Sequence, residues 1–494
     1  MEDLWIANFM VAEQKKLILN QQQSMKNLRI GINALNGVSV LELNGLEALE
    51  RVVIMRGGMY DGSGRLRVKN CANLSSIDMG EYSFMKYKNL ELTNLPLLQR
   101  SSFGESTFQI IQTILMENLP SLQSIQLGNN ALQGDSGDKR KMITEEPYNY
   151  RNTMMMRDLP SLTSFRGGEY NFQNIGTITL ENVIQSTSSG ISFGSYSFQY
   201  AYSVEIYNAT TLHAYLMDKS EYVQYDLLKL TESSITLIIP NGLFNGNNIA
   251  SFNISNNGVL KSIVIGDECF GKVRVFELNG LDELESVVIG QKSFTYAKTD
   301  GDIWNSKRTD GDYRIVNCPK LKSIQIGYIS FGDYRSFELS NLPSLQSIDM
   351  SEYCFNWAPS FSLTDLPQLQ SVKLGRTAFK RVHSIVFENL PKLQSIQLGG
   401  AALNGDEGAD RKTISNEPYN YKNTLTMRNL PSLTEFKGDR YNFYAIGSMI
   451  LENIPQLSSN GIKFDLGFFY YTYAIESSNA TALESVIKNR SFYV

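Results

Sequence analysis

The sequence predicts a β-rich solenoid of about eighteen coils of about 24 residues, with two short strands per coil and parallel stacked sheets. Three observations predict it. The phrase NLPSLQSI stands at 118–125 and returns letter for letter at 341–348. Its second leucine, or the equivalent in variant phrases, recurs mostly at gaps of 24 or 25 residues, as at Leu49, Leu74, Leu98 and Leu122, and again at Leu321, Leu345, Leu369 and Leu393. Apolar residues stand three and five places after each anchor, the two-residue period of a half-buried strand.

The coil anchored at Leu122 shows each element in order. Ile125 and Leu127 alternate with Ser124 and Gln126, which predicts the first strand. Gly128 then permits a turn. Ten places after the anchor comes Leu132, and in most coils this position is Phe: Phe84, Phe108, Phe172, Phe198, Phe244, Phe270, Phe294, Phe331, Phe355, Phe379, Phe443 and Phe469. A phenylalanine ladder inside the stack is expected. A second alternating stretch, such as Ile114 and Met116 or Phe337 and Leu339, predicts a strand on the opposite face. The Asn that opens the NLP phrase is expected to cap the corner with a side-chain bond to backbone. One coil cannot bury its own apolar edge, so stacking must close the core. The same rule finds degenerate anchors near Met25, Ser188, Leu212, Ser234, Ser459 and Leu483.

The segment LPSLQSIQLGNNAL, 119–132, matches the leucine-rich-repeat consensus, with Ile125 replacing one leucine and Asn130 at the consensus Asn. Elsewhere that Asn position holds Tyr82, Tyr353 or Thr377, so an Asn ladder there is not kept. With its 24-residue length and ladder Phe, the chain over roughly 25–494 resembles the BspA-like (bacterial-surface-antigen-like) leucine-rich repeats. The resemblance implies the solenoid fold. It also implies a cell-surface structural or adhesion array, which needs a targeting signal that this chain does not show.

A larger period overlies the coils. An offset of 271 relates Leu122 to Leu393, the PYNY at 147–150 to that at 418–421, and Asn208 to Asn479. Residues 49–223 thus recur as 320–494, a tandem duplication around a middle block, 224–319. No Gly/Ser- or Pro-rich linker breaks the beat, so 25–494 is expected to be one continuous solenoid. Residues 1–24 depart from the repeat and are expected to be a flanking segment or short helical cap. Charged insertions near 133–152, 297–313 and 404–423 leave the coil just after the ladder position and are expected to be solvated loops. None matches the spacing of a calcium-binding loop.

Composition narrows the function. The 494 residues are 42% apolar and 19% charged with a net charge of −5, a globular balance without the basic footprint of a nucleic-acid binder. No run of apolar residues is long enough for a membrane span, and the start carries acidic residues where a signal peptide needs basic ones. A cytoplasmic location is expected for the chain as written, and a secreted or surface one if the N-terminus is incomplete. The two histidines, His213 and His383, fall in different coils, and no P-loop or nucleophile elbow occurs. His213 is expected exposed on a strand. No catalytic, cofactor or metal site is expected, and no cofactor. Cys71, Cys269, Cys318 and Cys354 fit apolar positions of the repeat and are expected as free thiols.

The expected function is a non-enzymatic protein-binding scaffold acting through the exposed sheet, with the adhesion array as the alternative. Four places after the anchor the residue faces solvent and varies, and the candidate partner surface is Asp78, Gln126, Gln325, Asp349, Lys373 and Gln397. Two places after the anchor Ser recurs, and it too is expected to face solvent. The partner is a protein of unspecified identity. The sequence ends on SFYV, with no capping unit, so the C-terminal edge is expected to be open and available for self-association.

Overall fold

The structure is a computed structural model that describes the chain apart from residues 1, 21, 61–62, 138–151, 184–188, 222, 224, 232–234, 247–248, 306–309, 409–421 and 492–494. It forms two compact units, Met1–Asp226 and Leu227–Val494. Each is a β-solenoid with stacked parallel sheets, as the 24-residue period predicts.

In unit 1, the first sheet has eight parallel strands, from Asp3–Ile6 to Ile191–Phe193, and the second has eight, from Lys16–Asn20 to Ser203–Tyr207. In unit 2, nine strands from Thr236–Ile239 to Ile462–Phe464 form the first sheet. The opposite side carries a four-stranded sheet ending at Ser336–Ser340 and a five-stranded one beginning at Ser360–Thr364. A proline marks the break. Arg335 donates its N–H to Gly311 O of the preceding coil, and Pro359, at the equivalent place, has no N–H to donate.

The strand-core residues are inward as their alternation requires; Leu345, Ile348 and Phe355 are all buried. The ladder is present, and every ladder Phe is buried. Phe355 stacks on Phe331 at 5.4 Å and on Phe379 at 5.1 Å between ring centroids. A second ladder comes from the opposite strands: Phe252, Phe276, Tyr313, Phe337 and Phe361 stack at 5.0–5.9 Å. The two meet edge to face, as Tyr313 and Phe337 do on Phe355. The ladder phenylalanines adopt a left-handed backbone, for example Phe84 at φ 51° and Phe355 at φ 49°. That costs roughly 1–2 kcal/mol per residue. It turns the N–H toward the preceding coil, where Phe379 donates to Cys354 O at 3.1 Å.

The corner asparagines act differently from the expected backbone cap. They are left-handed too, a conformation Asn tolerates, and their side chains bond to one another. Asn118 donates to Asn94 and Asn94 to Asn70, at 2.9 and 3.0 Å. In unit 2 the chain Asn479–Asn453–Asn429–Asn389–Asp365 repeats this at 2.8–3.2 Å.

Among the described residues, α-helices form at α1 (Thr210–Lys219), α2 (Leu227–Thr231), α3 (Asp300–Asn305) and α4 (Thr481–Lys488). α1 lies at the C-terminal end of unit 1 and α2 at the start of unit 2. The anchors Leu212 and Leu483 are buried, but on α1 and α4 rather than on strands. His213 lies on α1, not on an exposed strand. The open C-terminal edge is also corrected. α4 closes it with Leu483 and Ile487 buried, and Ser491 Oγ donates to Thr472 O. The 271-residue offset maps α1 onto α4 and Ser220, which donates to Ala201 O, onto Ser491. Tyr215 of α1 satisfies the last first-sheet strand of unit 1, its hydroxyl accepting the Phe193 N–H at 3.2 Å. Among the described residues at the start there is no helix. Asp3–Ile6 and Lys16–Asn20 are strands that extend both sheets by one coil. The anchors near Ser188 and Ser234 lie outside the described residues.

All four cysteines are buried free thiols. Burial pushes the Cys354 thiol well up from its usual value. The ladder prediction is quantitative: Phe355→Ala removes two stacks and two edge contacts and costs about 3–5 kcal/mol. Denaturant unfolding of the full chain checks it, and a loss under about 1 kcal/mol contradicts the packing account.

Candidate functional surface

Parallel pairing in perfect register lines up the residue four places after each anchor. In unit 2 the row runs Val264, Val288, Gln325, Asp349, Lys373, Gln397, Lys437, Lys463. Four of the six candidate residues, Gln325, Asp349, Lys373 and Gln397, are therefore consecutive neighbours on one sheet, facing out between the buried Ile324, Ile348, Val372 and Ile396 and the next buried row. They line a groove of about 1120 Å³. Asp78 and Gln126 lie on the first sheet of unit 1, in a separate row, Val53, Asp78, Ser102, Gln126, Arg166, Ser192.

The two Asp candidates differ. Asp78 is half-buried and held by Arg51 at 3.0 Å, Arg100 at 3.8 Å and the Ser102 hydroxyl at 3.0 Å. Its copy Asp349 meets Lys373 alone at 3.2 Å, an exposed pair of small worth. The serines expected to face solvent are half-buried instead, and Ser76 is buried. Ser286 donates to Ser262 across the sheet at 3.1 Å.

The far side of the groove carries Gly327, Gly375 and Gly399 with Ser351 among them. A Cβ on Gly375 would come within 2.5 Å of the Glu352 nitrogen, so glycine there lets these coils approach. Beyond it a rim carries Glu352, Arg376, Arg440 and Tyr441, with Tyr441 49% exposed. Arg376 reaches Glu352 at 3.5 Å and Asp300 at 3.6 Å, and donates to the Tyr353 hydroxyl.

Asp300 belongs to the second insertion, which corrects the solvated-loop expectation. α3 docks on the coil corners: Ile303 is buried with Ala297, Ile329 and Tyr353, and Trp357 Nε1 donates to Ile303 O at 2.7 Å. Lys380 lies 4.6 Å over the Trp304 ring. The Tyr328 hydroxyl donates to Asp300; this bond and the nearby Tyr353 and Arg376 hold the carboxyl below its usual pKa. The bond in turn pushes the Tyr328 phenol up to about 12. The other two insertions are described only at their bases. Asp135 takes bonds from Lys88 at 2.8 Å and Gln112 at 3.0 Å; its copy Asp406 lies 3.7 Å from His383 Nε2. Asn152 and Asn423 bond to the main chain at these bases in both copies. Residues 138–151 and 409–421 lie outside the described residues.

The second sheets carry paired charge clusters. Arg157 sits between Glu117 and Glu181, Arg314 between Glu277 and Glu338, and Arg428 between Glu388 and Glu452, all within 2.6–3.7 Å. Among the described residues no group of three His, Cys, Asp or Glu side chains is placed to hold a metal ion, and no helix is long and apolar enough to cross a membrane.

No family model matches the chain, and no curated protein matches it. Among solved structures it is similar to a leucine-rich repeat protein from Bacteroides ovatus, at 13% identity over 88% of this chain and 92% of that one, with a TM-score of 0.14. The fold assignment rests on the coils themselves.

The Asp300 carboxylate provides a pH test. Its folded pKa is depressed, so its contribution is present above the unfolded value of about 3.9 and is lost as pH falls through the folded value. In a Trp5→Phe background, fluorescence of Trp304 and Trp357 should hold steady from neutral pH to about 4 and then shift red. Asp300→Asn should give the shifted spectrum already at neutral pH; an unchanged spectrum contradicts the docking account.

Proposed function

We propose that this chain is a non-enzymatic protein-binding scaffold that uses the first sheet of unit 2. The observation that carries this reading is the row Gln325, Asp349, Lys373, Gln397 in one open groove, set against second sheets on which Arg157, Arg314 and Arg428 each lie between two glutamates. A partner across those clusters displaces paired charges, whereas on the row Gln325 to Gln397 it meets polar side chains with one weak ion pair, Lys373–Asp349. The rim supplies Tyr441, Arg440 and Arg376, residue types that dominate binding hot spots. The groove is long and open rather than an enclosed pocket, which suits an extended polypeptide surface. Asp78 and Gln126 are secondary in this reading, since Asp78 already satisfies two arginines.

Affinity capture from the native cell tests it. The triple variant Gln325→Glu, Lys373→Glu, Gln397→Glu should lose its partner by roughly tenfold or more. The control Ser362→Glu, exposed on the second sheet, should capture as the parent does. Retained capture by the triple variant, or loss by the control, overturns the assignment.

A further inference from the structure

The last two strands of that sheet carry a charge order of their own. Along Glu435–Gly438 and into the following turn, the charged residues are Glu435, Lys437, Asp439 and Arg440, reading minus, plus, minus, plus. The neighbouring strand repeats the centre: Lys463 pairs in register with Lys437, and the Asp465 N–H bonds to Gly438 O beside Asp439. Two lysines therefore form one line and two aspartates another, about 6.6 Å apart along the strands and about 4.8 Å apart across them. Both lines face an open groove of about 900 Å³, whose far wall is α4 with Val486, Asn489 and a further basic residue, Arg490. Lys437 pairs locally with Glu435 at 2.7 Å. Asp439, Arg440, Lys463 and Asp465 make no ion pair among the described residues.

We infer that this end of the sheet is a self-complementary surface that joins two copies of the chain face to face. Reversed, the order minus, plus, minus, plus becomes its own complement. A two-fold axis along the stacking direction sets Lys437 and Lys463 against the second copy's aspartate line. Exposed Leu466 and Tyr441 flank the lines and supply apolar area.

The duplication provides an internal comparison. The 271-residue offset maps these positions onto Ser164, Arg166, Gly168, Glu169, Ser192 and Gly194 of unit 1. There the same coils fold with one basic and one acidic residue, and the reversed order pairs Arg166 with Gly168. The charges of unit 2 are thus not required by the coil. A partner of one sign would leave one of the two lines opposed by like charge; a second copy leaves neither.

This surface adjoins the scaffold groove and shares Asp439, Asp465, Arg440 and Tyr441 with it, but its test reads self-association of the purified chain rather than capture of a different protein. Light scattering or sedimentation equilibrium of the purified full chain tests it directly. The chain should dimerise at about 0.05 M salt, and at least roughly tenfold more weakly at about 0.5 M. Lys437→Glu with Lys463→Glu makes every central charge acidic; Asp439→Lys with Asp465→Lys makes every one basic. Each double variant alone should be monomeric, and their equimolar mixture should form a one-to-one heterodimer. Lys463→Ser with Asp465→Gly, which installs the unit 1 residues, should weaken the homodimer without loss of fold by circular dichroism. A monomer at every salt, dimers in the double variants, or no heterodimer on mixing overturns the inference, whatever the capture experiment shows.

Discussion

Each coil must turn through corners that an L-residue backbone enters at a cost, and the stack exists because the next coil offsets that cost. Phenylalanines such as Phe84 and Phe355 stand in left-handed conformations normally left to Gly or Asn. They do so because that conformation sends the ring into the ladder and the N–H to the coil before. The corner asparagines meet a similar demand by bonding to their own equivalents one coil away. No coil holds such corners alone. The ends are therefore the weak points, and in both copies a helix with the same serine contact closes the C-terminal end.

This constraint also decides where chemistry can stand. Inward positions are taken by the two aromatic ladders, and the glycines of the turns are pressed against the preceding coil. What remains is the outward row of each sheet. On the second sheets the arginines Arg67, Arg157, Arg314 and Arg428 each sit between two glutamates. On the first sheet of unit 2 the rows open into grooves, with unpaired charges concentrated at Asp439, Arg440, Lys463 and Asp465.

Much of this was legible in the sequence because the period is short and the core is aromatic. The ladder phenylalanines and the row Gln325 to Gln397 follow from counting three, four, five and ten places past a leucine. Lys437 and Lys463 follow from the same count. The helices did not, because the anchors Leu212 and Leu483 are buried in a helical cap just as they would be in a strand, and periodicity alone does not separate the two. The N-terminal strands were hidden for the opposite reason: Trp5 and Ile18 are exposed where the rule looks for variable polar residues. The docked α3 and the rim at Arg376 and Tyr441 depend on contacts between coils 24 or more residues apart, which no local pattern encodes. The NLP asparagines were expected to bond to backbone, and their ladder was missed because each bonds to its equivalent a coil away, a contact no single coil displays.

The account makes the first sheet of unit 2 the working face of the molecule. Amine-directed cross-linking in the native cell, read by mass spectrometry, addresses that claim without altering a residue. Lys373, Lys437 and Lys463 should be protected from mono-linking on assembly and enriched in links to other polypeptide chains, while Lys69 on a second sheet and Lys380 beside Trp304 should be neither. Cross-links that gather on Lys69 or Lys380, with Lys373, Lys437 and Lys463 freely mono-linked, would contradict it.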